Sequence, residues 1–286
     1  PFSFHFAARF ISLATTVLKN TVTPSFQNLT PNHRPPTGHK QSSSHSNLSL
    51  TTLVSTLNVI LTHQSRTAVE NMLTHWNRIV PIENIAVAYG GPLETFESIE
   101  HPHKAFITSD RLRTTDHQRE RQSYHPIFQA IAAQKLTDGH EHVHLTEFDH
   151  IPLQNNINEL QETFLQNEGA DVLGYAVRRV DRTNNPHYLT HVHEARFLDF
   201  IASISVRKDK RAIFSMLGFG TFWTKEAFLA LANVDEPFPI YLEIFMPTVA
   251  HHLGFRLRSF PASSYVSSQA TFSSPQVEKA IANGEW

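Results

Sequence analysis

From residue 55 onward, short apolar runs alternate with amphipathic stretches. Leu57-Asn-Val-Ile-Leu-Thr62 is a β-branched run of the kind that forms a buried parallel strand. After the polar turn His63-Gln-Ser-Arg66, residues 67–78 set Val69, Leu73 and Trp76 at helical spacing. Ile85-Ala-Val-Ala-Tyr89 predicts a second strand, stopped by Gly90-Gly91-Pro92, and Lys104-Ala-Phe-Ile-Thr108 a third, ending at Ser109-Asp110. A polar segment then leads into a helix around 124–135, followed by a fourth strand, His142-Val-His-Leu-Thr146, which runs into Glu147-Phe148-Asp149-His150. This β–α rhythm predicts an α/β fold with a parallel, doubly wound sheet. Ligands of such sheets bind beyond the carboxyl ends of the strands, which selects His63–Arg66, Tyr89–Gly91, Ser109–Asp110 and Glu147–Asp149.

The second half is less regular. A helix is expected at 156–167, then a strand over Val172–Val177 and a polar loop over Arg178–Pro186. Residues 194–206 read as helix then strand, and Ile213–Gly220 as a strand whose glycines mark a close approach. Thr224 is placed to cap a helix over 224–233. Tyr241–Leu253 reads as a helix stopped at Gly254, with a strand at Phe255–Phe260.

Charge divides the chain. The 286 residues hold 24 Lys and Arg against 26 Asp and Glu. All 26 acids lie beyond residue 69, and Arg9, Lys19, Arg34 and Lys40 are the bases of residues 1–50, so residues 51–286 carry a formal −6. Residues 1–54 therefore read as a disordered leader, similar to a transit peptide or equally to upstream translated sequence. Residues 2–18 are apolar, but Arg9 at their centre makes them a poor membrane span. The absence of Cys excludes disulfides, thiolate metal sites and a cysteine nucleophile. It agrees with a cytoplasmic setting, while the leader keeps organelle targeting open. A net charge of −2 argues against a nucleic-acid partner, and a mean hydropathy of −0.28 excludes a polytopic membrane protein.

Two constellations carry candidate chemistry. Strand alternation puts Glu147 and Asp149 on one side of the fourth strand's open end, a natural Mg²⁺ or Mn²⁺ site because hard cations take carboxylate and phosphate oxygens. Two surface acids on a solvated loop are the alternative. The chain also holds 19 His, with His140, His142 and His144 sharing a face and His191-Val-His193 repeating the spacing. Such His-x-His pairs would suit a metal-dependent hydrolase, although chance pairs are expected in a chain so rich in His. No P-loop, dinucleotide fingerprint or nucleophile elbow is present.

The order of these features resembles a GT-A-type nucleotide-sugar glycosyltransferase of the broad group related to the family-two enzymes. The resemblance runs over about residues 55–286 and rests on NVILTHQSR (58–66), IAVAYGG (85–91), RERQSYHPIFQAIAAQ (119–134), EFDHIP (147–152) and GFGTFWTKEAFLAL (218–231). It implies a GT-A-like doubly wound, mostly parallel sheet with helices on both faces, comprising a nucleotide-binding half (55–153) and an acceptor half (154–286). It also implies that Thr62, His63, Gln64, Arg66, Tyr89, Gly90 and Asp110 contact the nucleotide. Glu147 and Asp149 would hold Mn²⁺ or Mg²⁺ on the diphosphate, and Glu243 would be the base for an inverting transfer to a glycan, lipid or small-molecule acceptor. A dipole-stabilised acid at a helix start is the alternative for Glu243. The chain departs from the family in having Glu-Phe-Asp where Asp-x-Asp is usual, and Leu242-Glu243 where paired acids are common. A further ligand, frequently His, often comes from a C-terminal segment, which would lie beyond Trp286. A non-catalytic nucleotide- or glycan-binding protein of the same fold is the third reading.

Overall fold

Alternation along the first apolar run decides both faces of the sheet. In β1 (Thr56–Thr62), Leu57, Val59 and Leu61 enter the main core, while Ile60 faces a second apolar cluster on the opposite side. The computed structural model describes residues 55–108, 124–150, 152–189, 191–218, 220–235, 240–261 and 274–285. The leader at 1–54 and the expected ligand Asp110 lie outside the described residues.

The seven-stranded sheet runs β3 (Lys104–Phe106), β2 (Ile85–Tyr89), β1, β4 (His142–Glu147), β8 (Thr221–Thr224), β5 (Val172–Gly174), β9 (Leu257–Ser259). Every pairing in it is parallel except those of β8, which runs antiparallel to β4 and β5. A separate two-stranded ladder joins β6 (Arg178–Arg179) to β7 (Phe214–Ser215). The expected α/β, mostly parallel, doubly wound architecture is present.

Helices cover both faces. The main core packs α3 (Tyr124–Ala133), α6 (Ala195–Ile204), α7 (Lys225–Ala232) and α8 (Leu242–His252) against the odd positions of β1 and against Val143, Leu145 and Trp223. On the other face, α1 (Arg66–Trp76) buries Val69, Leu73 and Trp76. There α4 (Ile157–Asn167) supplies Leu165 to a third cluster with Leu173 and Phe222. Shorter helices follow β2 (α2, Leu93–Ser98) and β6 (α5, Pro186–Leu189), and α9 (Ser274–Ala282) ends the described chain. Ser65 caps α1 through Ala68 N–H, and Thr224 caps α7 through Ala227 N–H, as its position in the sequence predicts.

Several expectations are corrected. The strand expected over 213–220 is two residues long, because Gly220 at φ +58° turns the chain before β8 begins. The polar loop at 178–186 contains β6, and residues 195–204 are helix throughout, with no strand at 205–206. The strands expected at 104–108, 172–177 and 255–260 each shrink to three residues.

Candidate active site at the carboxyl ends of the strands

Strand register brings the selected loops to one edge. Thr62 pairs with Tyr89 and Leu61 with Glu147, so β1, β2 and β4 end level. Phe148 N–H donates to Leu61 O and Gly90 N–H to Thr62 O, which ties the first turn beyond each strand to β1. The His63 ring meets Phe148 edge-on at 5.5 Å.

The residues expected to contact a nucleotide divide by exposure. His63 and Arg66 are exposed and Gln64 half-buried, whereas Thr62 and Tyr89 are wholly buried. The Thr62 hydroxyl accepts from Gln64 N–H, and the Tyr89 hydroxyl donates to Gln64 O at 2.9 Å. The Tyr89 ring belongs to the second core cluster and holds the 63–66 loop from beneath. A Cβ at Gly91 would fall 2.3 Å from the Tyr89 hydroxyl, so this Gly-Gly turn is required by the tyrosine under it. Arg66 pairs with Glu70 at 2.5 Å and Glu100 at 3.4 Å, and those carboxylates raise its already high pKa.

The acid pair differs from expectation in one respect. β4 ends at Glu147 and the chain turns at once, with His150 N–H donating to Glu147 O. Strand alternation therefore does not reach Asp149, which is exposed on the turn while Glu147 is half-buried. Among the described residues no group of three or more His, Asp or Glu is arranged to hold a metal ion. The donor chemistry of the Glu147–Asp149 turn still fits a hard cation that completes its shell with phosphate and water.

Glu243 lies in the first turn of α8 and is 7% exposed. Its position follows from Pro247. A proline inside a helix has no N–H for the carbonyl four residues back; here that carbonyl belongs to Glu243 and instead accepts from Met216 N–H at 3.0 Å. Thr248 adds a second tie, its hydroxyl donating to Phe214 O at 3.1 Å and accepting from Phe214 N–H at 2.9 Å. Together these bonds join α8 to β7 and the loop after it. Glycines of that loop lie near both candidate acid sites: a Cβ at Gly218 would fall 1.9 Å from Leu242 Cδ1 and 3.7 Å from Glu243 Cγ, and one at Gly220 would fall 3.6 Å from His150 Cε1.

Sequence reasoning missed the surroundings of Glu243. The Tyr188 hydroxyl donates to Glu243 Oε2 at 3.5 Å and accepts from Arg178 at 3.4 Å, while Arg178 also donates to the Ser215 hydroxyl at 3.4 Å. Burial, with the Glu243 carboxylate second, raises the Tyr188 phenol above the usual tyrosine range and keeps it a donor at neutral pH. Fifty-five residues separate Tyr188 from Glu243, and no local pattern announces the pairing.

The strand histidines serve the interior. His144 bonds through Nδ1 to Asn58 Oδ1 at 3.1 Å and receives the Gln161 amide on Nε2 at 3.3 Å. Burial drives its pKa down to about 3. His142 stacks on Phe222, and His140 bonds to Asn84 and Asp138 O. His191 is buried beside the Tyr241 ring, whereas His193 is exposed.

No family model matches the chain, and no curated protein matches it. Among solved structures the chain is similar to core-mannan synthase A from Aspergillus fumigatus in its Mn/GDP form. The two share 10% identity over 81% of this chain and 80% of that one, with a TM-score of 0.35. A score of that size carries no weight, so the functional reading stands on the strand-end geometry.

Proposed function

We propose that the protein transfers a sugar from a nucleotide-diphosphate donor to an acceptor hydroxyl with inversion. One observation supports this reading: a Cβ at Gly220 would lie 3.6 Å from His150 Cε1 in the turn after β4, and one at Gly218 would lie 3.7 Å from Glu243 Cγ, so the acid turn and the buried carboxylate stand near two glycines of one short segment. An oxygen-ligand turn and a buried carboxylate thus flank one loop at the edge where doubly wound sheets bind ligands.

In this reading residues 55–153 bind the nucleotide and 154–286 the acceptor. His63, Gln64, Arg66 and Gly90 line the nucleotide side, Asp110 joins them, and Thr62 and Tyr89 fix the loop they stand on. Glu147 and Asp149 would hold Mn²⁺ or Mg²⁺, which when bound supplies positive charge against the leaving diphosphate. Glu243 accepts the acceptor hydroxyl's proton, and the resulting alkoxide character attacks the sugar carbon opposite the leaving group. Tyr188 orients the Glu243 carboxylate. The histidine-based hydrolase loses its support, because His140, His142 and His144 are buried and engaged away from the strand-end loops.

Thermal unfolding with UDP or GDP, each with and without Mn²⁺, Mg²⁺ or Zn²⁺, tests the site. The expected result is stabilisation that needs nucleotide and Mn²⁺ together and disappears in Asp149→Ala. Stabilisation by Zn²⁺ alone would contradict the proposal.

A further inference from the structure

One surface beside the acceptor side opposes the charge of the domain around it. Residues 51–286 are acidic on balance, yet segments 178–182 and 207–211 together hold seven bases and two acids. The fold joins these segments. Val180 N–H donates to Ile213 O at 2.7 Å beside the β6–β7 ladder, and Arg179 reaches across to Asp209 at 2.6 Å.

Both acids are engaged by Arg179, which also pairs with Asp181. Arg207 turns inward and donates to the carbonyls of His251, Gly254 and Phe255 at the end of α8. Arg178 is held by Ser215 and Tyr188. Arg182, Lys208, Lys210 and Arg211 are exposed and have no carboxylate partner among the described residues. Two residues before Lys208 stands Val206, at 72% the most exposed large hydrophobic residue among those described.

Unpaired cations alone suit any polyanion. Cations beside a protruding apolar side chain suit an anionic bilayer, where head groups neutralise the charge and the apolar group enters the interface. No helix among the described residues is long and apolar enough to cross a membrane, so contact by this face is peripheral. We propose that the surface formed by Arg178–Arg182 and Val206–Arg211 docks on an anionic lipid bilayer. Arg178 links this surface to Tyr188 and Glu243, so docking brings the acceptor side to the membrane and favours a lipid-borne acceptor. Only that last step rests on the glycosyltransferase reading.

Flotation of the full chain with phosphatidylcholine vesicles, with and without phosphatidylserine, tests docking without any turnover. Binding is expected only to the phosphatidylserine vesicles and is expected to fall steeply with salt. Each near-surface Lys or Arg contributes roughly fivefold to such partitioning, so the R182E/K208E/K210E/R211E variant should lose more than about a hundredfold. Val206→Asp should weaken binding further and Val206→Trp strengthen it, with thermal midpoints and nucleotide-induced shifts unchanged. Binding by the fourfold variant at wild-type strength would overturn the proposal and assign attachment to another surface, the basic leader included. Retention on heparin without vesicle binding would overturn it in favour of a soluble polyanion. Docking that holds while sugar transfer fails in every assay would refute the glycosyltransferase reading alone.

Discussion

The Tyr188 hydroxyl stands 3.5 Å from Oε2 of Glu243 and is itself 3.4 Å from the Arg178 guanidinium. In the proposed role of Glu243 as base, a neutral donor on Oε2 orients the carboxylate without removing its charge. Tyr188→Phe should therefore lower kcat about tenfold, the worth of one hydrogen bond to a carboxylate at the weak end of the range. KM for the nucleotide sugar and the thermal midpoint should hardly change. Steady-state kinetics against donor concentration checks this. A raised donor KM with unchanged kcat would move Tyr188 to the donor side.

Gly218 has no room for a side chain. Its missing Cβ would overlap Leu242 Cδ1, directly before Glu243. Gly218→Ala should cost about 1–3 kcal/mol by overpacking and lower kcat by displacing the start of α8. Adding Leu242→Ala removes the clashing atom, so part of the stability lost to the first change should return. Urea unfolding of both single variants and the double variant measures that coupling. Strict additivity would show that the loop yields instead.

The sequence was most informative where a local pattern had one physical solution. β2 is a continuous apolar run and β1 nearly so because both faces of the central sheet are covered, and Thr224 announces its helix by its capping oxygen. β8 was hidden because Gly220 reverses the chain inside one apolar stretch, and its antiparallel direction depends on partners far away in sequence. The acid turn was picked out by residue type and position, but strand alternation is no guide to Asp149, because β4 ends two residues before it. Tyr188 and Arg178 reach Glu243 only through tertiary packing. Spacing alone could not assign the His-x-His pairs, since neighbouring strands and α4 make His142 and His144 packing and hydrogen-bonding groups.

Acid should expose the cost of those histidines. His144 titrates near its ordinary value of 6.5 in the unfolded chain but at about 3 when buried. The unfolded state therefore binds the extra proton, and the stability gained from a neutral His144 is complete above about pH 6.5 and is lost steadily below it. The slope is about 1.4 kcal/mol per pH unit, giving about 2 kcal/mol by pH 5. Urea midpoints measured across this range should fall in the wild type and fall less steeply in His144→Gln. An unchanged slope in the variant would assign the acid sensitivity to other groups, such as His251, which burial lowers to about 4.

If Glu243 is the base, bond breaking at the sugar carbon depends on its carboxylate. The decisive measurement is sugar release and transfer from UDP- and GDP-sugars in the presence of Mn²⁺, comparing wild type with Glu243→Gln. The expected result is turnover by the wild type, a loss of about a hundredfold or more in the variant, and unchanged nucleotide binding in both. Nucleotide binding with no turnover by the wild type, or equal turnover by Glu243→Gln, would contradict it.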